Sequence, residues 1–417
     1  MAGDERRGLK VARREFDLVV FGATGFTGRL VAEYLHLSGA ARSRWAIAGR
    51  SLDKLAAVRD ALHLPPAVAL LQADAADAAA LKALVARTRC VITTVGPYQL
   101  HGEPLATACA EGGTDYVDLC GEPLWMARMI DKLAPLAEAS GARIVFSCGF
   151  DSIPFDLGVV YLQAEAQARF GEPLPEVRGR VARVKGGASG GTLASMMETF
   201  TALRREPALA ALMDDPFALT PGFAGPPQPS DMDPGFDDWA DAWTGPFMTA
   251  TINTKNVHRS HALRGHPWGR HFVYSEKLLT GRPGEGDKGR RKAAALARFT
   301  KLQNVVLGFG TARALLRRFV LTKPGSGPNA AAREAGRYEL WFTGKSSRGE
   351  MLRAVVKGDR DPGYGSTCKL ISETALCLLQ DVGRDATPGG VWTPGSAMGL
   401  ALVRRLQARA GLGFEIG

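Results

Sequence analysis

Paired cysteines are missing from this chain. Its six cysteines, at positions 90, 109, 120, 148, 368 and 377, form no C-x-x-C pair. That spacing argues against a structural zinc site, and the scatter suits reduced cytosolic thiols better than a disulfide framework. Long uncharged apolar runs are also absent: none approaches the ~18–20 residues of a membrane-spanning helix. Met1 to Glu15 is charged and has no apolar core, so no signal peptide is expected there, and a cytoplasmic protein is. No internal repeat is visible. Helix-turn-helix, zinc-finger and RNP-like aromatic patterns are lacking, so nucleic acid is not an expected partner.

What is present is globular: 417 residues, 46% hydrophobic and 23% charged, enough for two domains or one large domain with an insertion. The formal charge of +10 can serve an anionic cofactor, an acyl-carrier partner or a membrane surface. From residue 16 to about 150, strand-like runs alternate with helix-like ones. The strands are expected at Phe16–Phe21, Trp45–Ala48, Val68–Gln72, Cys90–Val95, Tyr116–Leu119 and Arg143–Ser147. The helices between them are expected at Thr27–Leu37, Leu52–Leu62, Asp77–Ala86, Glu103–Glu111 and Leu124–Ser140. This rhythm predicts an α/β fold with a doubly wound parallel sheet covered on both faces.

The first strand breaks into Gly22-Ala23-Thr24-Gly25-Phe26-Thr27-Gly28, and an amphipathic helix follows at once. Such a turn brings backbone N–H groups up to a pyrophosphate at a helix N-terminus. At the end of the second strand, Ala48-Gly49-Arg50-Ser51 lacks the acid that would bind a ribose 2′-hydroxyl. Arg50 stands there instead, with Ser51 and Lys54 close by. A guanidinium suits a 2′-phosphate, so NADP(H) is expected over NAD. Asp74 is either an adenine contact or a cap. Val95-Gly96-Pro97 ends the fourth strand, where the loop passes beneath the middle of a bound dinucleotide. None of the seven tyrosines has a lysine four positions later, so the Tyr-x-x-x-Lys couple of short-chain dehydrogenases is absent.

After Phe150 the rhythm changes. A strand at Val177–Lys185 and a helix at Gly190–Leu203 are expected. A Pro-, Gly-, Asp- and Trp-rich lid-like loop is expected over 214–247, then strands at Thr249–Asn256 and Arg270–Ser275. An antiparallel pair, Arg337–Thr343 with Met351–Lys357, and two helices, near Ser366–Leu379 and Ser396–Ala410, complete the expectation. The domains are read as a tail over 1–15, a nucleotide-binding domain over 16–155, and a substrate and dimerisation domain over 156–390. A C-terminal segment, 391–417, follows. Segment 293–321 mixes Phe299, Leu302, Val306, Phe309, Leu316 and Phe319 with Arg298, Lys301, Arg313, Arg317 and Arg318. The preferred reading is a core-packing helix with a basic solvent face; the other is a helix lying peripherally in a membrane interface.

Six motifs together resemble the saccharopine dehydrogenase-like oxidoreductases, and more closely their trans-acting enoyl reductase branch. They are Gly-Ala-Thr-Gly-Phe-Thr-Gly (22–28), Ala-Gly-Arg-Ser (48–51), Val-Gly-Pro-Tyr (95–98), Tyr-Val-Asp-Leu-Cys-Gly-Glu (116–122), Cys-Gly-Phe-Asp-Ser-Ile-Pro (148–154) and Ser-Gly-Gly-Thr (189–192). The resemblance implies a Rossmann domain joined to an α+β domain with a mostly antiparallel sheet. It also implies a final helix returning to the nucleotide domain, NADP(H), and hydride transfer to a double bond of a hydrophobic lipid- or polyketide-like substrate. Trp239 and Trp243, in the lid-like segment, would help cover that substrate. Tyr98, Cys148 and Asp151 are the candidate catalytic residues; Asp118 and Glu122 flank the turn after the fifth strand. No arginine clamp for a substrate carboxylate can be placed, which argues against a saccharopine-type amino-acid dehydrogenase. The remaining alternative is a non-catalytic nucleotide-binding protein on a membrane or lipid droplet.

Overall fold

The computed structural model describes residues 14–38, 43–186, 190–282, 284–310 and 327–417. Strands β1 (Phe16–Phe21), β2 (Trp45–Gly49), β3 (Ala69–Gln72), β4 (Thr88–Thr93), β5 (Asp115–Val117) and β6 (Arg143–Val145) alternate with five helices. These are α1 (Phe26–Leu37), α2 (Leu52–Ala61), α3 (Ala78–Ala86), α4 (Tyr98–Gly112) and α5 (Pro123–Ser140). Near-continuous apolar strands such as Leu18–Phe21 and Trp45–Ala48 are buried on both faces, as a helix-covered parallel sheet requires. The chain lays β1, β2 and β3 outward to one side, then crosses back so that β4 pairs with β1 on the other. That reversal opens a crevice at the carboxyl ends of β1 and β4.

Helix α6 (Ile153–Phe170) leads into a second sheet. Its strands are β7 (Glu176–Lys185), β8 (Gly235–Asp237), β9 (Ala242–Gly245), β10 (Val273–Leu279), β11 (Arg337–Lys345) and β12 (Met351–Gly358), with a last strand at Leu412–Ile416. Their order is last strand–β12–β11–β7–β10–β9–β8; only β7 and β10 run parallel. Helices α7 (Gly190–Arg205), α8 (Leu209–Asp214), α9 (Ala250–Leu263) and α10 (Asp287–Gly308) belong to this half. One core runs through both halves, from Val20, Ile92 and Val145 to Phe155, Phe342 and Phe414.

Three expectations are corrected and one is refined. Thr249–Asn256 is not a strand but the first half of α9. Its β-branched residues suggested a strand, yet Asn253, Asn256 and Lys255 are buried by distant partners that local propensity does not register. The 214–247 segment is not a free lid. Its second half is the β8–β9 hairpin at the sheet edge, where Asp237 accepts from the backbone of Trp239 and Ala240 and pairs with Arg180 at 2.5 Å. Trp239 lies 3.7 Å from the Arg178 guanidinium, and Trp243 packs beside Gly289 of α10. The return to the first sheet is made by a three-residue strand, Gly390–Trp392, which pairs with β6 as its seventh strand. The final helix, Gly399–Arg409, packs mainly on α6 and on the helix Thr367–Gln380, and reaches the first half at α1, where the Tyr34 hydroxyl donates to the Arg409 carbonyl at 3.0 Å.

The third correction concerns α10. The residues it buries are small, Gly289, Ala293 and Ala297, together with Leu307. Phe299, Leu302, Val305 and Phe309 are 59–63% exposed, so the core-packing reading fails for them. Residues 311–321 of that segment lie outside the described residues.

Candidate functional site

The turn after β1 is pinned by its own amides: Gly22 and Ala23 donate to the Ala48 carbonyl and Gly25 donates back to the Gly22 carbonyl, so the donors left for a ligand begin with the first turn of α1. Gly22 sits at φ +87°, and any Cβ there would meet Val95 Cγ2 at 2.6 Å. Gly28 lies against Ala23, whose Cα would be 2.8 Å from an added Cβ. Both positions therefore need glycine for α1 to start this close to β1 and β4. Gly25 is the N-cap of α1, and no side chain caps that end. The first-turn N–H groups, from Phe26 and Thr27 onward, face the crevice with their partial positive charge. Thr24 and Gly25 form the rim of the cradle, Gly25 with its own N–H already given to the Gly22 carbonyl, and the open first turn of α1 fits a pyrophosphate.

Arg50 is exposed at the end of β2, and among the described residues its guanidinium has no partner. Ser51 caps α2 by accepting from the Lys54 backbone at 3.3 Å, which sets Lys54 one turn from Arg50. Asp74 is exposed and accepts from the Ala76 backbone at 2.9 Å; the cap of α3 is Asp77, which accepts from Ala79 and Ala80. Gly96 is exposed and Pro97 is the N-cap of α4.

Side chains at the ends of β4, β5 and β6 interlock. Both Glu122 carboxylate oxygens accept from the start of α4, from the Tyr98 and Gln99 backbones at 2.8 Å each, and Ser195 of α7 donates at 2.5 Å. Glu122 thus caps α4, a role that short-range sequence spacing does not reveal. Asp118 is fully buried and accepts from the Cys120 and Ser147 backbones and from the Tyr116 hydroxyl. Burial pushes its carboxyl up to about 7. Ser147 holds a left-handed backbone at φ +62°, uncommon for a serine and consistent with a functional turn.

The three candidate catalytic residues separate here. Tyr98 is buried; its hydroxyl donates to the Thr93 carbonyl and accepts from the Leu119 N–H. Burial, with Asp118 nearby, drives its ionisation well above the ordinary range. Cys148 is fully buried with its thiol directed at the Val145 carbonyl, and burial raises it well above the normal thiol value. Asp151 alone of the three is partly exposed. Burial raises its carboxyl to about 6, and a hydrogen bond to Thr192 of α7 opposes that rise.

The second half faces the crevice. Tyr364, in the single π turn Pro362–Ser366, packs edge-on to Phe26 at 4.8 Å, and its hydroxyl accepts from the Gly190 N–H. Tyr364 thus joins the nucleotide turn to the start of α7, and α7 in turn meets the Asp151 loop through Thr192. Behind that loop, Ser152 donates to Asn253 and accepts from Asn256. Asn253 in turn donates to the fully buried Glu276 at 2.7 Å.

Comparison with known proteins agrees with this geometry. Residues 18–145 match the saccharopine dehydrogenase NADP-binding domain family. A Mycobacterium tuberculosis protein named as a candidate trans-acting enoyl reductase is 39% identical over 422 residues, covering 96% of this chain and 97% of that one. Trans-acting enoyl reductases of Mycobacterium bovis and Mycobacterium ulcerans are each 38% identical, covering 95% of this chain and 97% of theirs. The chain belongs to the trans-acting enoyl reductase family. It is an NADP(H)-dependent oxidoreductase. Apo saccharopine dehydrogenase (L-Glu forming) from Saccharomyces cerevisiae, 12% identical, shares the fold with a TM-score of 0.54, covering 96% of this chain and 99% of that one.

Proposed function

We propose that this protein reduces the activated double bond of a hydrophobic enoyl substrate, with Asp151 as the proton donor. The observation that carries the proposal is the placement of Asp151. It is the one candidate acid that is partly exposed and protonatable near neutrality, and it connects to the nucleotide turn through Thr192 at the start of α7 and Tyr364 against Phe26. When bound, NADPH supplies a hydride for the β-carbon. The displaced electron pair moves to the activating carbonyl oxygen, and Asp151 delivers its proton to the α-carbon. Gly22, Thr24, Gly25, Phe26, Thr27 and Gly28 would hold the pyrophosphate. Arg50, Ser51 and Lys54 would hold the 2′-phosphate, Asp74 would face the adenine, and Val95, Gly96 and Pro97 would run beneath the nicotinamide. Tyr98 and Cys148 are packing and bracing groups in this scheme, because their polar atoms are already engaged.

The test is NADPH oxidation across a panel of enoyl thioesters of rising chain length, comparing wild type with Asp151→Asn. Turnover that grows with chain length and falls at least about a hundredfold in the variant supports the scheme. NADPH binding with no turnover on any substrate would favour the non-catalytic alternative. Turnover only with a glutamate-bearing imine would favour a saccharopine-type reaction.

A second reading concerns location. No helix among the described residues is long and apolar enough to cross a membrane. The exposed face of Phe299, Leu302, Val305 and Phe309, flanked by Arg298 and Lys301, supports peripheral contact with an anionic lipid surface.

A further inference from the structure

Helix α9 buries an unusually polar set of side chains, and beside its C-terminal end lies a cavity of about 300 Å³. Arg259, Arg270 and His266 supply its charged and ring-nitrogen groups, while Pro221, Phe223 and Leu263 form apolar wall. No acidic side chain lines it, and none of its lining residues belongs to the nucleotide turn or the Asp151 loop. Arg259 lies six residues beyond Asn253, about 9 Å farther along the helix.

The polar groups of this cavity are incompletely satisfied. Arg259 is 5% exposed and donates at 2.6 Å to the carbonyls of Leu219 and Val391, but its Nε has no partner. His266 Nδ1 is likewise buried without a partner, and the residue is held at φ +60°, a conformation non-glycine residues seldom take. Arg270 is exposed, stacks over Phe223 at 5.0 Å, and makes no ion pair among the described residues. Buried donors without acceptors are costly; Asp131 of α5 offsets part of the Arg259 charge from outside the cavity, and the two guanidinium groups in the lining still outnumber the carboxylates there, an arrangement that an incoming anion relieves. The volume lies at the small end of ligand sites, room for an anionic head on a short carbon body.

We propose that this cavity binds a small oxyanion, a carboxylate or a phosphate monoester, at a site separate from that of NADP(H). Arg259 and Arg270 would hold the charged head, and Phe223 and Leu263 would cover its apolar part.

The test uses the full chain saturated with NADPH, so that added anion cannot report on the nucleotide turn. Inorganic phosphate and succinate are titrated separately by calorimetry in chloride buffer of constant ionic strength. Saturable uptake of one molecule per chain is expected. Arg270→Ala, at an exposed position, should weaken it by about tenfold or more, the loss of one charge-assisted contact, while NADPH affinity holds. Ala262→Phe, which fills the cavity, should abolish it. Uptake of phosphate alone assigns the site to phosphate esters, uptake of succinate alone assigns it to carboxylates, and uptake of both assigns it to the shared chemistry. No saturable uptake of either anion, or unchanged binding in both variants, overturns the proposal. Either result leaves the reductase reading intact, because that reading rests on a different site.

Discussion

Arg50 and Asp151 carry the two functional statements that depend on single side chains. Arg50 has no protein partner among the described residues, so its charge is available to a ligand. A charged hydrogen-bond pair contributes roughly 1.5–3 kcal/mol, so Arg50→Ala should cost about 10–100-fold in NADPH affinity and leave NADH affinity nearly unchanged. Calorimetry with both dinucleotides checks this, and equal losses for the two would remove the 2′-phosphate assignment. Asp151 has its carboxyl raised to about 6, chiefly by burial. A general acid must be protonated, so kcat/KM should be highest below that value and fall about tenfold per pH unit above it. The Asp151→Asn enzyme should lose this limb of the pH profile. If the limb persists in the variant, another group is the donor.

At the level of elements, the helix starts decide the site and α10 decides the surface. α1 starts at a bare glycine cap facing the crevice, whereas the start of the neighbouring α4 is closed by Glu122. Two adjacent helix N-termini thus differ in availability: one is free for an anion and the other already holds one. α10 is seated by small residues on one face and presents large apolar ones on the other. Burying a Phe or Leu side chain is worth about 1.5–3 kcal/mol, so Phe299→Ser with Leu302→Ser should reduce vesicle binding more than tenfold. Co-sedimentation with phosphatidylserine-containing vesicles at low salt is the measurement. If wild-type protein fails to sediment under those conditions, the lipid-surface reading falls.

Across the whole molecule, buried polar links tie the C-terminal part of the chain to the first sheet. Arg143 of β6 pairs with the fully buried Asp115 at 2.5 Å and donates to the Leu378 and Val382 carbonyls, fastening the end of the helix Thr367–Gln380 to the first sheet. Arg384 reaches the same carboxylate at 3.1 Å. Removing Asp115 strands a buried guanidinium, so Asp115→Ala should lower stability by about 3–5 kcal/mol. A clear drop in the urea midpoint would show it; a shift within error would mean water reaches Arg143.

The repeating strand and helix pattern of residues 16–145, the glycine turn and the arginine after β2 were all legible in the linear chain. Each is encoded within a few neighbouring residues, by apolar periodicity, by φ requirements, or by the absence of an acid. The antiparallel β11–β12 pair was legible for the same reason. Other features were settled by partners on other elements, 23 to 104 residues away. Thr249–Asn256 became helix because Ser152 and Glu276 satisfy its buried amides, and the supposed lid became hairpin because Asp237 meets Arg180. The structure also separated Asp151 from Tyr98 and Cys148: all three occur in motifs of the same kind, but only tertiary packing determines which residue keeps part of its surface exposed. Local chemistry determined the fold of the first half and its cofactor; long-range burial, which sets solvation and hydrogen-bond partners, decided the rest.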